Sequence, residues 1–269
     1  MIGVVVVGAY GRMGREVAKN VFNALDMELV GAVDGRGEGT DVGSLCGSGT
    51  TGIVIESNLE EVLSRTKPDV AVDFTGPHSV YENTLTIMRK GVRPVIGTTG
   101  MSREQIRNII EMSENKRIGG LIAPNFAIGA LLMIKFAGEA ARHFPDVEII
   151  ELHHDQKLDA PSGTAIKTAE VVFENRESGF QQGLPYEIEK IEGVRGGKYA
   201  GGIRIHSVRL PGLVAHQEII FGGLGQTLTI RHDSITRESF MPGVLLGIRK
   251  AIRLERVVYG LEKLLFEEL

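Results

Sequence analysis

Fifteen residues, Glu151 to Ala165, hold two imidazoles (His153, His154), one ammonium (Lys157), three carboxylates (Glu151, Asp155, Asp159) and a Pro-Ser-Gly-Thr turn. Such groups move protons and fix anions. Apolar Val147, Ile149 and Ile150 lead in, and a helical pattern of Ala165, Ile166, Ala169, Val172 and Phe173 leads out. The expected order is strand, polar loop, helix start, with Ser162 or Thr164 as N-cap and Pro161 halting any earlier helix. Amide groups at a helix start point outward and the peptide dipoles add partial positive charge. A carboxylate or phosphate is stabilised there, more so beside Lys157. Neighbours on an extended strand face opposite sides, so His153 and His154 do not converge on one ion unless the strand bends. The sole cysteine, Cys46, is far away in sequence, and no metal is expected. A merely solvated loop is the competing reading. The density of proton-transfer groups at a helix start favours a functional site.

The elements that must position this stretch begin with a second one rich in glycine. Ile2 to Val7 is a β-branched run suited to a strand buried on both faces. It ends in Gly8-Ala9-Tyr10-Gly11-Arg12-Met13-Gly14, and a helical pattern follows through Val17, Ala18, Val21, Phe22 and Leu25. Met27 to Val33 reads as a second strand, closing on Asp34. Glycines permit the tight turn and the close approach of a pyrophosphate at the helix start, and the acid accepts hydrogen bonds from the adenosine ribose. Dinucleotide binding is the expectation. Asp34 suits the free 2′-hydroxyl of NADH, whereas Arg36 can pair with the 2′-phosphate of NADPH, so either or both cofactors are expected.

Strand and helix signals continue to alternate. Helices are expected at Leu59–Leu63 and Val80–Met88, and one capped by Ser102 carries Ile106, Ile109 and Ile110. Strands are expected at Val70–Phe74, Arg93–Ile96 and Leu121–Ala123. This alternation predicts a parallel sheet covered on both faces, with ligands outside the carboxyl ends of the strands. Three special loops fall there: Phe74–His78, Gly97-Thr98-Thr99-Gly100, and Ala123-Pro124-Asn125-Phe126. Together they predict a wall beside the nicotinamide.

A long helix is expected from Phe126 to Phe144 as the bridge to a second domain. Beyond Tyr186 the texture becomes β-rich. Gly201–Leu210, Val214–Phe221 and Gln226–Ile230 alternate and read as long antiparallel strands joined by hairpins. Gly193–Gly202 reads as a mobile, solvated loop, although its Arg195 and Lys198 carry charge suited to an acidic substrate. From Ile235 the pattern is helical, with a kink or late start at Pro242 and Arg237 near that start, and Val257–Phe266 supplies a last apolar stripe. An open β-rich sheet leaves unpaired edges, so this domain is expected to pair with copies of itself.

Composition bounds these readings. The chain has 269 residues, 42% hydrophobic and 24% charged, with a net charge of −4. That suits a globular protein without a field that recruits nucleic acid or an anionic membrane. One cysteine fits a reducing compartment. The longest apolar run, Ile128 to Ile134, is broken by Lys135, so no membrane span is expected. The N-terminus begins as a strand without the basic region of a secretory signal, and a cytoplasmic protein is expected.

The motifs Val6–Gly14, Asp73-Phe74-Thr75, Gly97–Gly100, Ala123–Phe126 and, above all, Glu151–Ala165 resemble the dihydrodipicolinate reductases of the diaminopimelate route to lysine. Their order and spacing match over nearly the whole chain. The resemblance implies an α/β chain. A Rossmann-type dinucleotide-binding domain would span 1–126, completed by C-terminal helices 237–269. An α+β substrate and tetramerisation domain with a mainly antiparallel or mixed sheet would span 127–236. It implies NADH- or NADPH-dependent reduction of 4-hydroxy-tetrahydrodipicolinate, a small dicarboxylate, by a homotetramer. It makes His153 the catalytic histidine and Lys157 the proton donor. His154, Ser162, Gly163 and Thr164 would bind substrate, and Gly8, Ala9, Tyr10, Gly11, Arg12, Met13, Asp34, Gly97, Thr98, Thr99, Ala123, Pro124, Asn125 and Phe126 would line the cofactor, beside Arg36. The chain departs from the family at Ala215-His216-Gln217, where Gly-Glu-His is frequent. At Asp34 the family often has Glu, and the Arg that follows is displaced here by Gly35. Two rivals stand beside this reading. A different two-domain dehydrogenase, if it worked through a thiohemiacetal, would have to use Cys46, poorly placed in a Gly-rich loop. A dinucleotide-sensing regulator would have no need of His153 and Lys157 beside an anion site.

Overall fold

A computed structural model describes residues 1–177, 180, 182–183 and 186–266. In chain order its strands are β1 (Ile2–Val7), β2 (Met27–Val33), β3 (Ile55–Glu56), β4 (Val70–Asp73), β5 (Arg93–Ile96), β6 (Gly120–Ile122), β7 (Asp146–His153), β8 (Gly197–Lys198), β9 (Arg204–Arg209), β10 (Ala215–Gly223), β11 (Gln226–Ser234) and β12 (Val257–Tyr259). The helices are α1 (Arg12–Asn23), α2 (Val42–Leu45), α3 (Leu59–Thr66), α4 (Val80–Arg89), α5 (Arg103–Lys116), α6 (Ile128–Ala141), α7 (Gly163–Asn175), α8 (Met241–Ala251) and α9 (Leu261–Phe266). The chain divides into two compact units, Met1–Phe126 with Phe240–Leu269, and Ala127–Ser239. Residues 267–269, the end of the segment expected to complete the first domain, lie outside the described residues.

The first unit is built on an all-parallel sheet of order β12-β6-β5-β4-β1-β2-β3. The chain winds one way from β1 through β2 to β3 and the other way from β4 to β6. The order therefore reverses between β1 and β4, where open α/β sheets open a crevice at the strand carboxyl ends. Val4, Val5 and Val6 are wholly buried, as a strand covered on both faces requires. Ser102 and Gln105 form a reciprocal capping box at α5.

One expectation about this unit changes. The last apolar stripe is not wholly helical. Val257–Tyr259 is a strand that pairs in parallel with β6, so the sheet is completed by a strand as well as by helices. Three residues carry too short a pattern to separate strand from helix. Of the kink or late start expected at Pro242, the structure has the late start: α8 begins at Met241, and Pro242 occupies its first turn, where its missing N–H costs nothing. The edge strand β3 and the short α2 were not anticipated.

The second unit is a mixed sheet of order β11-β10-β7-β9-β8 with α6 and α7 packed together. Its core gathers Met133, Ala137, Val147, Ile149, Ala169, Val172, Ile203, Ile219 and Phe221. Phe221 is fully buried and tilts against Phe144 at 6.5 Å between ring centroids. Burying such a side chain contributes about 1.5–3 kcal/mol.

Here too the sequence reading is corrected. β9 does not form a hairpin with β10; it pairs in parallel with β7, while β10 pairs antiparallel on the other side of β7. Alternation reports which face is buried and is silent on which strand is the neighbour. The bridge helix runs only from Ile128 to Ala141. The Gly193–Gly202 segment is partly ordered into β8, and Arg195 is engaged by Glu148 at 2.6 Å and Glu187 at 2.5 Å. Arg195 is thereby occupied inside its own unit. Among the described residues no helix is long and apolar enough to cross a membrane.

Candidate active site

β7, the central strand of the second unit, gathers groups suited to proton transfer at its carboxyl end. Strand alternation sets Val147, Ile149, Glu151 and His153 on one face. The first two enter the core, and the third is a carboxylate with no exposed surface. Such a group is stable there only if its oxygens are satisfied. Arg209, opposite His153 in the β7–β9 register, supplies a two-pronged pair. Its Nη1 donates to Oε2 at 2.9 Å and its Nη2 to Oε1 at 2.8 Å. The Ser162 amide donates to Oε1 at 3.3 Å, and His153 Nδ1 meets Oε2 in a short contact. Burial alone would push the Glu151 carboxyl up; hydrogen bonds from Arg209, Ser207 and His153 outweigh it and hold the group below the usual carboxylate range. For His153 burial wins over the attraction of Glu151, and the imidazole sits below its ordinary 6.5. Lys157 and Arg209 push the same way.

The strand ends at His153, and His154 stands outside it, exposed. In the loop that follows, Lys157 Nζ pairs with Asp159 Oδ1 at 2.7 Å, and the Arg209 Nη2 also donates to the Asp159 carbonyl at 2.7 Å. The loop closes on α7. Ser162, not Thr164, is the N-cap: its hydroxyl accepts from the Ala165 amide at 3.1 Å. Gly163, exposed in the first turn, has nothing within 4 Å of where a Cβ would stand, so the helix start opens to solvent there. Thus His153, Lys157 and the Ser162–Thr164 turn belong to one strand–loop–helix unit, bound together by Glu151 and Arg209.

The residues expected at a cofactor gather separately, at the carboxyl ends of β1, β2, β4, β5 and β6. Gly8 has φ +86°, and a Cβ there would stand 2.6 Å from the Phe74 carbonyl oxygen. A Cβ on Gly14 would stand 2.1 Å from the Gly8 oxygen, so helix and loop touch backbone to backbone. Gly11 caps α1 without a side-chain hydrogen bond, which leaves the first-turn amides to a ligand. Asp34 is buried, accepting from the Tyr10 amide and the Arg36 amide, each at 3.0 Å. The Arg36 side chain is mostly exposed, with its guanidinium 5.7 Å from the Tyr10 ring centroid; Arg15 lies over the same ring at 4.8 Å. These features fit a dinucleotide pyrophosphate and ribose.

Two of the three special loops are joined by a residue that the sequence reading quoted only within a motif. Buried Asp73 accepts from the Thr98 and Thr75 hydroxyls, each at 2.7 Å, and from Asn83 at 2.8 Å. Phe74 packs against Phe126 at 5.8 Å, and a Cβ on Gly97 would meet the Phe74 ring at 2.1 Å. Arg209 was likewise missed; the only signal was a cation at the end of an alternating run. His216 is engaged by Asp233 at 2.7 Å and the Val214 amide at 3.2 Å, a lock on the β10–β11 hairpin. The Cys46 thiol donates to the Arg15 carbonyl, and burial pushes its pKa up, which suits an inert thiol.

Similarity to known proteins identifies the family. Residues 2–126 match the family model described as dihydrodipicolinate reductase, N-terminus, and residues 129–265 match dihydrodipicolinate reductase, C-terminus. The chain is 55% identical to the 4-hydroxy-tetrahydrodipicolinate reductase of Desulfitobacterium hafniense over 98% of each chain. It is also 55% identical to that of Listeria welshimeri, over 97% of this chain and 99% of the relative. A dipicolinate-bound dihydrodipicolinate reductase from Paenisporosarcina sp. TG-14 superposes with a TM-score of 0.86 at 50% identity, over 98% of this chain and 99% of that one. An amine dehydrogenase from Mycobacterium smegmatis, at TM-score 0.68 and 15% identity, shares the fold. With both halves matched in order and relatives alike over nearly their full length, the chain belongs to the dihydrodipicolinate reductase family.

Proposed function

We propose that the strand–loop–helix unit from Glu151 to Thr164 carries out the reaction of this family. The chain is an NAD(P)H-dependent oxidoreductase that reduces 4-hydroxy-tetrahydrodipicolinate to tetrahydrodipicolinate, a step of the diaminopimelate route to lysine. The observation that supports placing the chemistry here is the bonding of one buried carboxylate, Glu151, both to His153 and to the Ser162 amide.

Each residue has a task set by its chemistry. The substrate carries two carboxylates, a C=N bond and a hydroxyl to be lost as water. One carboxylate docks at the start of α7 on Ser162, Gly163 and Thr164, where amides and dipole stabilise negative charge. His154, exposed beside them, contacts the substrate. His153, neutral near pH 7, takes the proton next to the C=N as the C–O bond breaks. Lys157 gives the departing hydroxyl its proton, so that water leaves and a conjugated double bond remains. NADH or NADPH supplies the hydride when bound. The chain then returns a proton to the ring, and the sum is substrate, reduced cofactor and one proton going to product, oxidised cofactor and water. Positioned acids and bases of this kind typically give ~10²–10⁴-fold each.

Gly8 to Met13, Asp34 and Arg36 hold the adenosine half of the cofactor, and Gly97–Thr99 with Ala123–Phe126 hold the nicotinamide half. The ligand is a small dicarboxylate. The working form is a homotetramer in the cytoplasm, supported by the nine-residue edge strand β11 and the single cysteine. The test is loss of reduced-nicotinamide absorbance when enzymatically generated substrate is added. Cofactor binding without any such loss would assign the chain a sensing role instead.

A further inference from the structure

We propose that Glu151 is a positioning residue for proton transfer: its carboxylate holds His153 in the tautomer that carries hydrogen on Nδ1, leaves Nε2 as the reactive nitrogen, and ties that imidazole to the substrate turn at Ser162. The inference rests on the reading of His153 as the group that takes and returns the proton.

An ionised carboxylate only accepts hydrogen bonds. Glu151 has no exposed surface, and its two oxygens face Arg209 Nη1, Arg209 Nη2, the Ser162 amide, the Ser207 hydroxyl and His153 Nδ1. The bidentate guanidinium keeps the carboxyl ionised. The ring nitrogen that faces it must therefore be the donor. In a neutral imidazole the other nitrogen then holds a lone pair. No partner takes His153 Nε2 among the described residues, and the side chain is 15% exposed, so this nitrogen is open to a ligand.

The surroundings decide the charge of the ring at rest. The charged groups that face it are Glu151 on its own strand, Arg209 on β9, and Lys157 in the loop beyond; Ala215, opposite on β10, carries none. Burial and the two cations oppose protonation, and Glu151 alone favours it. The resting imidazole is neutral. When it takes a proton on Nε2, the imidazolium that forms already faces an anion. Serine hydrolases use a buried carboxylate in this way, to orient a histidine and steady its charged form. Here the same carboxylate also fixes the Ser162 amide, so the spacing between proton acceptor and docked substrate is set through one group.

A purely structural ion pair between β7 and β9 is the competing account, and two measurements separate them. In wild-type protein labelled with 15N at histidine, the His153 signals, assigned by their loss in His153→Asn, are expected to show a proton on Nδ1 and none on Nε2 near neutral pH. In the double variant Glu151→Met/Arg209→Met, an apolar pair of similar size replaces the ion pair, an exchange that buried pairs often tolerate. This variant is expected to fold, to lose the Nδ1–H preference, and to lose kcat by about 10²-fold or more. A proton on Nε2 in the wild type, or a folded double variant with wild-type kcat, overturns the proposal. Should the double variant fail to fold, the wild-type tautomer decides alone. Wild-type kcat in His153→Asn would instead sink the underlying reading of His153, whatever the tautomer.

Discussion

Lys157 Nζ lies 2.7 Å from Oδ1 of Asp159, two residues further along the same loop. Lys157 holds the Asp159 carboxyl below its usual range. The ammonium is thus parked on a mostly exposed partner that it can leave at little cost, since exposed ion pairs are worth about 0–1 kcal/mol.

Replacing this ammonium tests its role directly. Lys157→Met should lower kcat by about 10²-fold or more while leaving the affinity for NADH close to wild type. Asp159→Asn should leave kcat within about tenfold, because it removes only the parking partner. Steady-state kinetics with fluorescence titration of NADH would read both. Wild-type turnover in Lys157→Met would remove this residue from the chemistry.

Acid should weaken both activity and fold. His153 must be neutral to accept a proton, and its pKa lies below 6.5, so kcat/KM should hold near neutrality and fall only on the acid side of that value. The stability sign follows from linkage. His153 and His232 titrate below their unfolded value because burial opposes their charge. The unfolded chain binds more protons as pH drops through 6.5, and stability is lost from there downward through the folded values. Glu148 and Glu151, held below 4.5 against the opposing pull of burial, add a second loss as pH falls from about 4.5 through their folded values. Thermal melts across this range should show Tm falling in those two stages. A flat Tm down to about pH 5 would contradict it.

Asp34 and Arg36 should divide the two cofactors between them. Arg36→Ala removes the exposed guanidinium beside Tyr10 and should weaken NADPH by about tenfold or more, with a smaller effect on NADH. Asp34→Asn should harm NADH more and disturb the loop as well, because this carboxylate also receives the Tyr10 and Arg36 amides. Parallel titrations with both nucleotides would show the crossover, and equal losses for the two would refute the division.

Gly14→Ala should uncouple folding from cofactor binding. The added carbon would meet the Gly8 oxygen at 2.1 Å, and backbone on both sides leaves nothing to rotate away. Overpacking of this kind costs about 1–3 kcal/mol, and the loop that receives the pyrophosphate must shift. NADH affinity should drop sharply while the second unit keeps its structure. Unchanged affinity would show that the close approach is dispensable.

The sequence was most legible where one residue type forces one conformation. The run Ile2–Val7, the Gly8–Gly14 turn and the acid at Asp34 announced the cofactor unit, because their spacing is local. The Ser162 cap and α7 were visible for the same reason. Arg209 was not, since its partner Glu151 lies 58 residues away and only the parallel β7–β9 register joins them. Asp73 was read as part of a family motif, but the hub it forms between two loops depends on Thr98, 25 residues on. β12 escaped because three residues carry no period, and its identity comes from the β6 edge it meets.

That last strand has a consequence for synthesis. A ribosome releases the chain from its amino end, at about 5–20 residues per second. The β6 edge therefore stays bare until residues 257–259 have emerged, after the entire intervening unit has been made. For those seconds a nascent chain displays a raw parallel edge of the kind chaperones cover, and the nucleotide-holding lobe, begun before the second unit, is completed only after it.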